Sequence, residues 1–188
     1  MTDTVFTAIS KQTGEVLYSG TAYNPSVFSE GDTVVLEGKA YGPGYVIDNI
    51  HYKLPPQPST NHTFNYTTKQ WEDPRTLQDI KDAQWTLIKQ ARSNAEYAGF
   101  TWDGSTFDSD AISQNRITGA VALAQLSTGF VVDWTLADNS TRTLNQIDML
   151  HVGAALGEHV QTQFAKGQVL RAQIDAATTK AEVEAVVW

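Results

Sequence analysis

The chain has no cysteine. That excludes disulfides, thiolate metal sites and thiol nucleophiles, and leaves the redox compartment open. No run approaches the roughly 18 consecutive apolar residues of a spanning helix, so no membrane insertion is expected. The first residues, Met1-Thr2-Asp3-Thr4-Val5, lack the basic start and apolar stretch of a signal peptide, so no export leader is expected. Bases are few: 13 against 21 acids, for a net charge of -8. Such a field repels a phosphate backbone, so nucleic acid is not an expected partner. Residues 1–73 and 74–188 each carry net -4. Acidity spread this evenly favours solubility and marks no single docking patch. Prolines are also few, and three of the six fall within 55–58.

What is present suits a folded protein of 188 residues, 41% hydrophobic and 10% aromatic. The fold class expected is α+β: a small N-terminal β module, a Pro-rich linker, then a helical domain with two β-hairpins. Up to about residue 70 the pattern is β. Val5–Ile9 and Glu15–Gly20 flank the turn-like Gln12-Thr13-Gly14. Thr33–Glu37, Tyr45–Ile47 and Ile50–Leu54 follow, which predicts one small sheet of four or five strands. Pro55-Pro56-Gln57-Pro58 fixes φ and removes backbone donors, so it cannot lie inside a sheet. The expected division is 1–54 as a β-rich docking module, 55–72 as linker and clip, and 73–188 as an α+β domain.

From Asp73 the period becomes helical. Asp73-Pro74 and Thr76-Leu77-Gln78-Asp79 offer helix starts. Leu77, Ile80, Ala83, Leu87, Ala91, Ala95 and Ala98 form the predicted buried stripe, widened by Trp85 and Ile88, and Gly99 ends the helix. Asp103-Gly104, between Phe100-Thr101-Trp102 and Ser105-Thr106-Phe107, is a hairpin signal. A helix over 110–126 follows, with Ile112, Ile117, Val121 and Leu123 as its apolar residues. Phe130–Leu136 and Thr141–Leu144 read as a second hairpin. Thr143-Leu144-Asn145-Gln146 reads as the capping box of the longest helix, with the stripe Met149, Val152, Leu156, Val160, Phe164, Leu170, Ile174 and a kink near Gly167. Gly153 and Gly157 would let a neighbouring helix approach. Thr179-Lys180-Ala181-Glu182 caps a last helix running to Trp188.

No motif in the sequence specifies a reaction. His151 and His159 are eight apart, not the i, i+4 pair of a helical zinc site. Asp103, Asp108 and Asp110 miss the EF-hand spacing and read as a turn residue and helix caps. No serine occupies a Gly-x-Ser-x-Gly elbow, and no Gly-rich loop ends in Lys-Ser/Thr. Catalytic, cofactor and metal residues are therefore expected to be none. The tryptophans suit either a sugar-lining role or a core, and Trp71, Trp85, Trp102 and Trp134 fall where a core needs bulk.

Three stretches carry a resemblance. Thr13–Leu17, with Val34–Gly38 and Tyr45-Val46, resembles the N-terminal β module of tailed-bacteriophage tail-fibre and fibre-assembly proteins. Pro55–Pro58, followed by His62–Leu77, is similar to their connector. Phe100–Gly104, Phe107–Asp110, Asp133–Asn139 and the final helix resemble a C-terminal domain of unassigned function in such proteins. The resemblance implies a structural tail component at the fibre or baseplate, in the virion tail and in host cytoplasm during assembly. Its partners would be tail-fibre or baseplate proteins, in a homo-oligomer or other symmetric assembly. It leaves open a tail-fibre assembly chaperone, or a host-surface adhesin whose hairpin tips touch glycan, with Trp102, Asp103 and Trp134 as contact residues.

Overall fold

A computed structural model describes residues 2–188. The chain is mixed α and β, strands first, and divides into two compact units at Arg75/Thr76.

In the first unit, β1 (Thr4–Ser10) is central. It pairs antiparallel with β2 (Val16–Ala22) on one edge and β3 (Thr33–Glu37) on the other. Phe6 through Ser10 are all buried, as suits a strand flanked on both edges. The β1–β2 turn needs glycine: Gly14 has φ +69°, and a Cβ there would lie 2.3 Å from the Val46 carbonyl oxygen. β4 (Gly44–Ile47) and β5 (Ile50–Lys53) form a separate ribbon, joined through Asp48 and Asn49, both at positive φ.

The single sheet of four or five strands expected from the sequence is therefore three strands plus a ribbon. After β3 the chain turns back toward β1 and β2. The Thr7 hydroxyl donates to the Lys39 carbonyl (2.9 Å) and accepts from the Tyr41 amide (3.0 Å), and the Ser19 hydroxyl donates to the Tyr41 carbonyl (2.8 Å). The ribbon meets the first sheet at its β1–β2 turn, through the Glu15–Tyr45 bridge and the Val46 amide on the Gly14 carbonyl.

The linker-and-clip segment 55–72 clusters with this unit. Its clip is a second hairpin, β6 (Thr63–Asn65) with β7 (Gln70–Glu72). Phe64 stacks on Tyr45 at 5.8 Å and meets Trp71 edge-on at 5.4 Å. The Lys69 ammonium bonds the carbonyls of Thr13 and Tyr66 and lies 4.6 Å from the Tyr45 ring centre. These contacts bind the clip to the β module.

The second unit holds α1 (Leu77–Glu96), the hairpin β8 (Phe100–Trp102) and β9 (Ser105–Phe107), and α2 (Ala111–Leu126). The hairpin β10 (Val131–Thr135) and β11 (Thr141–Asn145) follows, then α3 (Gln146–Ala176) and α4 (Lys180–Glu184). One core joins both hairpins, α2 and the first half of α3: Phe100, Phe107, Ile117, Leu144, Met149, Val152 and Leu156. A second joins α1, the end of α3 and α4: Ile80, Ile88, Ile174, Val183 and Val186.

Helix boundaries follow side-chain caps. Thr76 and Asp79 form a capping box, as do Thr179 and Glu182. Asp73 is instead chelated by Arg75 through Nε and Nη2. The cap of α3 is Asn145 with Asp148, one residue pair on from the expected Thr143 and Gln146. Thr143 is held in β11, where its hydroxyl bonds Asp133 at 2.6 Å. The last helix stops at Glu184, short of Trp188.

The predicted stripe of α1 holds at Leu77 and Ile80, with Trp85 and Ile88 packed beside them, but fails in its middle. Leu87 is 62% exposed, and Ala83 is exposed too. The inward face runs Ile80, Gln84, Ile88, Arg92. The Gln84 amide donates to the Val186 carbonyl (2.6 Å), and the Arg92 guanidinium lies 4.3 Å from the Phe164 ring centre. Two polar side chains on the packed face disguised it.

Gly153 permits close approach as expected, and a Cβ there would meet Val121 Cγ2 at 2.5 Å. Gly157 has nothing within 4 Å. α3 continues through Gly167, where a Cβ would lie 3.3 Å from Arg92 Cδ. Gly153→Ala is therefore expected to lose about 1–2 kcal/mol through overpacking. Gly157→Ala should gain about 0.5–1 kcal/mol of helix propensity. Urea unfolding of the two variants checks both signs.

Candidate functional site

The residues singled out from the sequence lie on the hairpin face of the second unit. Asp103 (φ +45°) and Gly104 (φ +75°) form the tight turn of β8–β9, a backbone that favours Asp-Gly. Asp103 is a true tip, with its side chain 67% exposed. Trp102 is half-buried, packed on the core and edge-on to Phe107 at 6.3 Å. Trp134 is also half-buried against that core, on the inward face of β10 with Val132.

The side chain that joins them is Arg142, which sequence reasoning missed. It stands opposite Trp134 in the β10–β11 register. Its Nη1 donates to the Asp103 carbonyl (2.9 Å) and the Ser105 hydroxyl (2.8 Å), and its Nη2 pairs with the Asp103 carboxylate (2.5 Å). The guanidinium carbon lies 4.9 Å from the Trp102 ring centre. A backbone bond from the Ala137 amide to the Thr106 carbonyl (3.0 Å) adds a second tie between the hairpins. The signal was available: Arg142 is the sole base between Arg116 and Lys166.

Beside this platform is a cleft of about 490 Å³. Asp108, Ser113 and Arg116 line one side, at the start of α2. Residues 132–136 and Asn139 line the other. Asp110 caps α2: its carboxylate accepts from the Ile112 and Ser113 amides and, at 2.6 Å, from the Ser113 hydroxyl. The Ser113 hydroxyl and amide, with the Ile112 amide, hold the Asp110 carboxyl below its ordinary value. The Ser140 hydroxyl and amide do the same for Asp138 in the β10–β11 loop.

The histidines are scattered. His51 bonds the Gly42 carbonyl and stacks on Tyr41, and His62 bonds Ser59. His159 bonds the Glu96 carbonyl at 3.0 Å, and His151 lies 6.2 Å from the Trp102 ring. Among the described residues, no three His, Asp or Glu side chains converge as metal ligands would. No helix among them is long and apolar enough to cross a membrane.

The outer surface of α2 is unusual. At 100° per residue, Ile112, Leu123 and Leu126 fall within an arc of about 60°, with Gly119 close beside. They are 63%, 60% and 84% exposed. Ile117 and Ala124, on the opposite side, are buried. Val131 and Ile147, 63% and 62% exposed, lie at the same end as Leu126, where Gln146 donates to the Ala124 carbonyl (2.7 Å). The helix has no acidic residue and one base, Arg116. The second unit covers the Ile117 and Ala124 side, and the outer side carries these three apolar side chains with the exposed Asn115 and Arg116 between Ile112 and Leu123.

Residues 79–187, more than half the chain, match the model of a family described as Domain of unknown function (DUF4376). Searches of curated proteins and of solved structures gave no match.

Two measurements test the platform. Arg142→Ala should destabilise by about 1–2 kcal/mol in urea unfolding, and Arg142→Lys should recover only part, because an ammonium cannot reproduce the fork. Asp110 should make stability pH-dependent. Its folded pKa is depressed, so its contribution is complete above the unfolded value of about 4 and is lost as pH falls through the folded value. The gap in melting temperature between wild type and Asp110→Asn should be largest near neutrality and close toward pH 2. A constant gap would refute the assignment.

Proposed function

The chain belongs to the DUF4376 family, and we propose that it is a structural component of a bacteriophage tail, acting through protein–protein contacts at the fibre or baseplate. The tail assignment rests on the resemblance of the β module, the connector and the hairpin–helix region to tail-fibre and fibre-assembly proteins.

The contact role rests on one observation: the outer face of α2. Ile112, Leu123 and Leu126 place large apolar side chains in water on a helix already buried on its other side. Exposed apolar side chains clustered at one end of the helix, Leu123 and Leu126 beside Val131 and Ile147, mark an interaction site, because covering them removes that area from water. The occupant proposed is a fibre or baseplate polypeptide. Repetition of the contact around a symmetric tail would give each copy the same neighbour. On this reading the chain has no substrate to turn over, and it resides in the virion tail after assembly in the host cytoplasm.

Quantitative mass spectrometry of purified particles tests the reading. A component is present at fixed stoichiometry, and Leu123→Asp with Leu126→Asp should lower its incorporation at least tenfold while circular dichroism shows the fold intact. Absence from mature particles, with the fibre failing to trimerise when expressed alone, would replace the reading with an assembly chaperone.

A further inference from the structure

The sheet around β1 has two faces, because successive side chains of a strand point opposite ways. Thr7 and Ser19 face the returning segment, which bonds both through Lys39 and Tyr41. Phe6 and Tyr18 face the other way. There the short 3-10 turn Pro25–Phe28 brings Phe28 onto the sheet. Phe28 stacks on the buried Phe6 at 5.0 Å, and Tyr18 meets the rings of Phe6 and Phe28 edge-on at 6.0 and 6.3 Å. Gly20, opposite Phe6 in the register, adds no side chain to cover them. The cluster is not sealed. Tyr18 and Phe28 are 46% and 40% exposed. Tyr23 and Val27, on the segment that leads into and forms the turn, are 60% and 58% exposed.

This apolar segment is also uncharged: no acid or base falls between Glu15 and Glu30. That selects the occupant. A two-fold contact sets a surface against itself, so any net charge on it is repelled by its copy. Residues 1–73 as a whole carry net -4. The uncharged segment is where two copies can meet without that repulsion, and covering it removes aromatic area from water. We propose that Tyr18, Tyr23, Val27 and Phe28 form a two-fold interface with a second copy of this chain. The contact belongs to the first unit and does not rest on the outer face of α2. It names a surface and a symmetry for the assembly expected from the sequence.

Sedimentation equilibrium of the full chain is the test. The mass should rise from 20.6 kDa toward twice that value between about 1 and about 500 µM, as weak, small interfaces do. Raising NaCl from about 0.05 to about 0.5 M should tighten the dimer about threefold, because salt screens two chains of net charge -8 and the contact contains no ion pair to lose. Val27→Glu and Val27→Lys should each weaken it about tenfold or more. Their equimolar mixture should recover a heterodimer, because opposite charges then face each other. Tyr23→Glu should repeat the loss, with circular dichroism showing each variant folded. Leu123→Asp with Leu126→Asp should leave the dimer unchanged. A chain that is monomeric at every concentration would overturn the proposal. So would a dimer that survives Val27→Glu and Tyr23→Glu, one that salt weakens, or one lost only on changing α2. The α2 contact is judged separately, in the particle.

Discussion

The second unit depends on α3. This helix has 31 residues, roughly 46 Å, and serves as a common wall for α1, α2, α4, β8 and β11. Its first half gives Met149, Val152 and Leu156 to the core shared with α2 and both hairpins. Its last turns give Ile174 to the core shared with α1 and α4. Two glycines set how closely its neighbours lie, Gly153 against Val121 and Gly167 against Arg92. A helix used along its whole length fixes α2 with one face inward, so the other face must look outward. The exposed Ile112, Leu123 and Leu126 follow from that geometry.

Polar interactions do a different job. They set where elements start and how the hairpins are held, more than how tightly the cores pack. Capping boxes begin α1, α3 and α4, and Asp110 begins α2. Arg142 bridges the hairpins with a fork that a backbone carbonyl, a hydroxyl and a carboxylate all accept. With the fork committed, Trp102 and Asp103 are held to the second hairpin through Arg142.

Much of the fold was legible where one short signal decides the outcome. Asp103-Gly104 set a two-residue hairpin, and Thr76–Asp79 and Thr179–Glu182 set helix starts. Legibility failed where long-range pairing decides. The phase of α1 was hidden because Gln84 and Arg92 lie on the packed face, held by the Val186 carbonyl and the Phe164 ring. The α3 cap shifted to Asn145 because strand pairing held Thr143. The first-unit sheet stopped at three strands because the chain after β3 folds back onto Thr7 and Ser19. At the site, Trp102, Asp103 and Trp134 were legible as aromatic and turn residues. Arg142 stood out only as a lone base, and its partners were not legible, because only the approach of the two hairpins makes them neighbours.

The central claim is that the outer face of α2 is built to be covered by another polypeptide. The absence of cysteine makes it directly measurable, since Leu123→Cys would be the chain's single thiol. Its rate of maleimide labelling can be compared between the free protein and the mature particle. Fast labelling when free and at least tenfold protection in the particle is the result predicted. Equal labelling in both states, with the protein present in the particle, would contradict it.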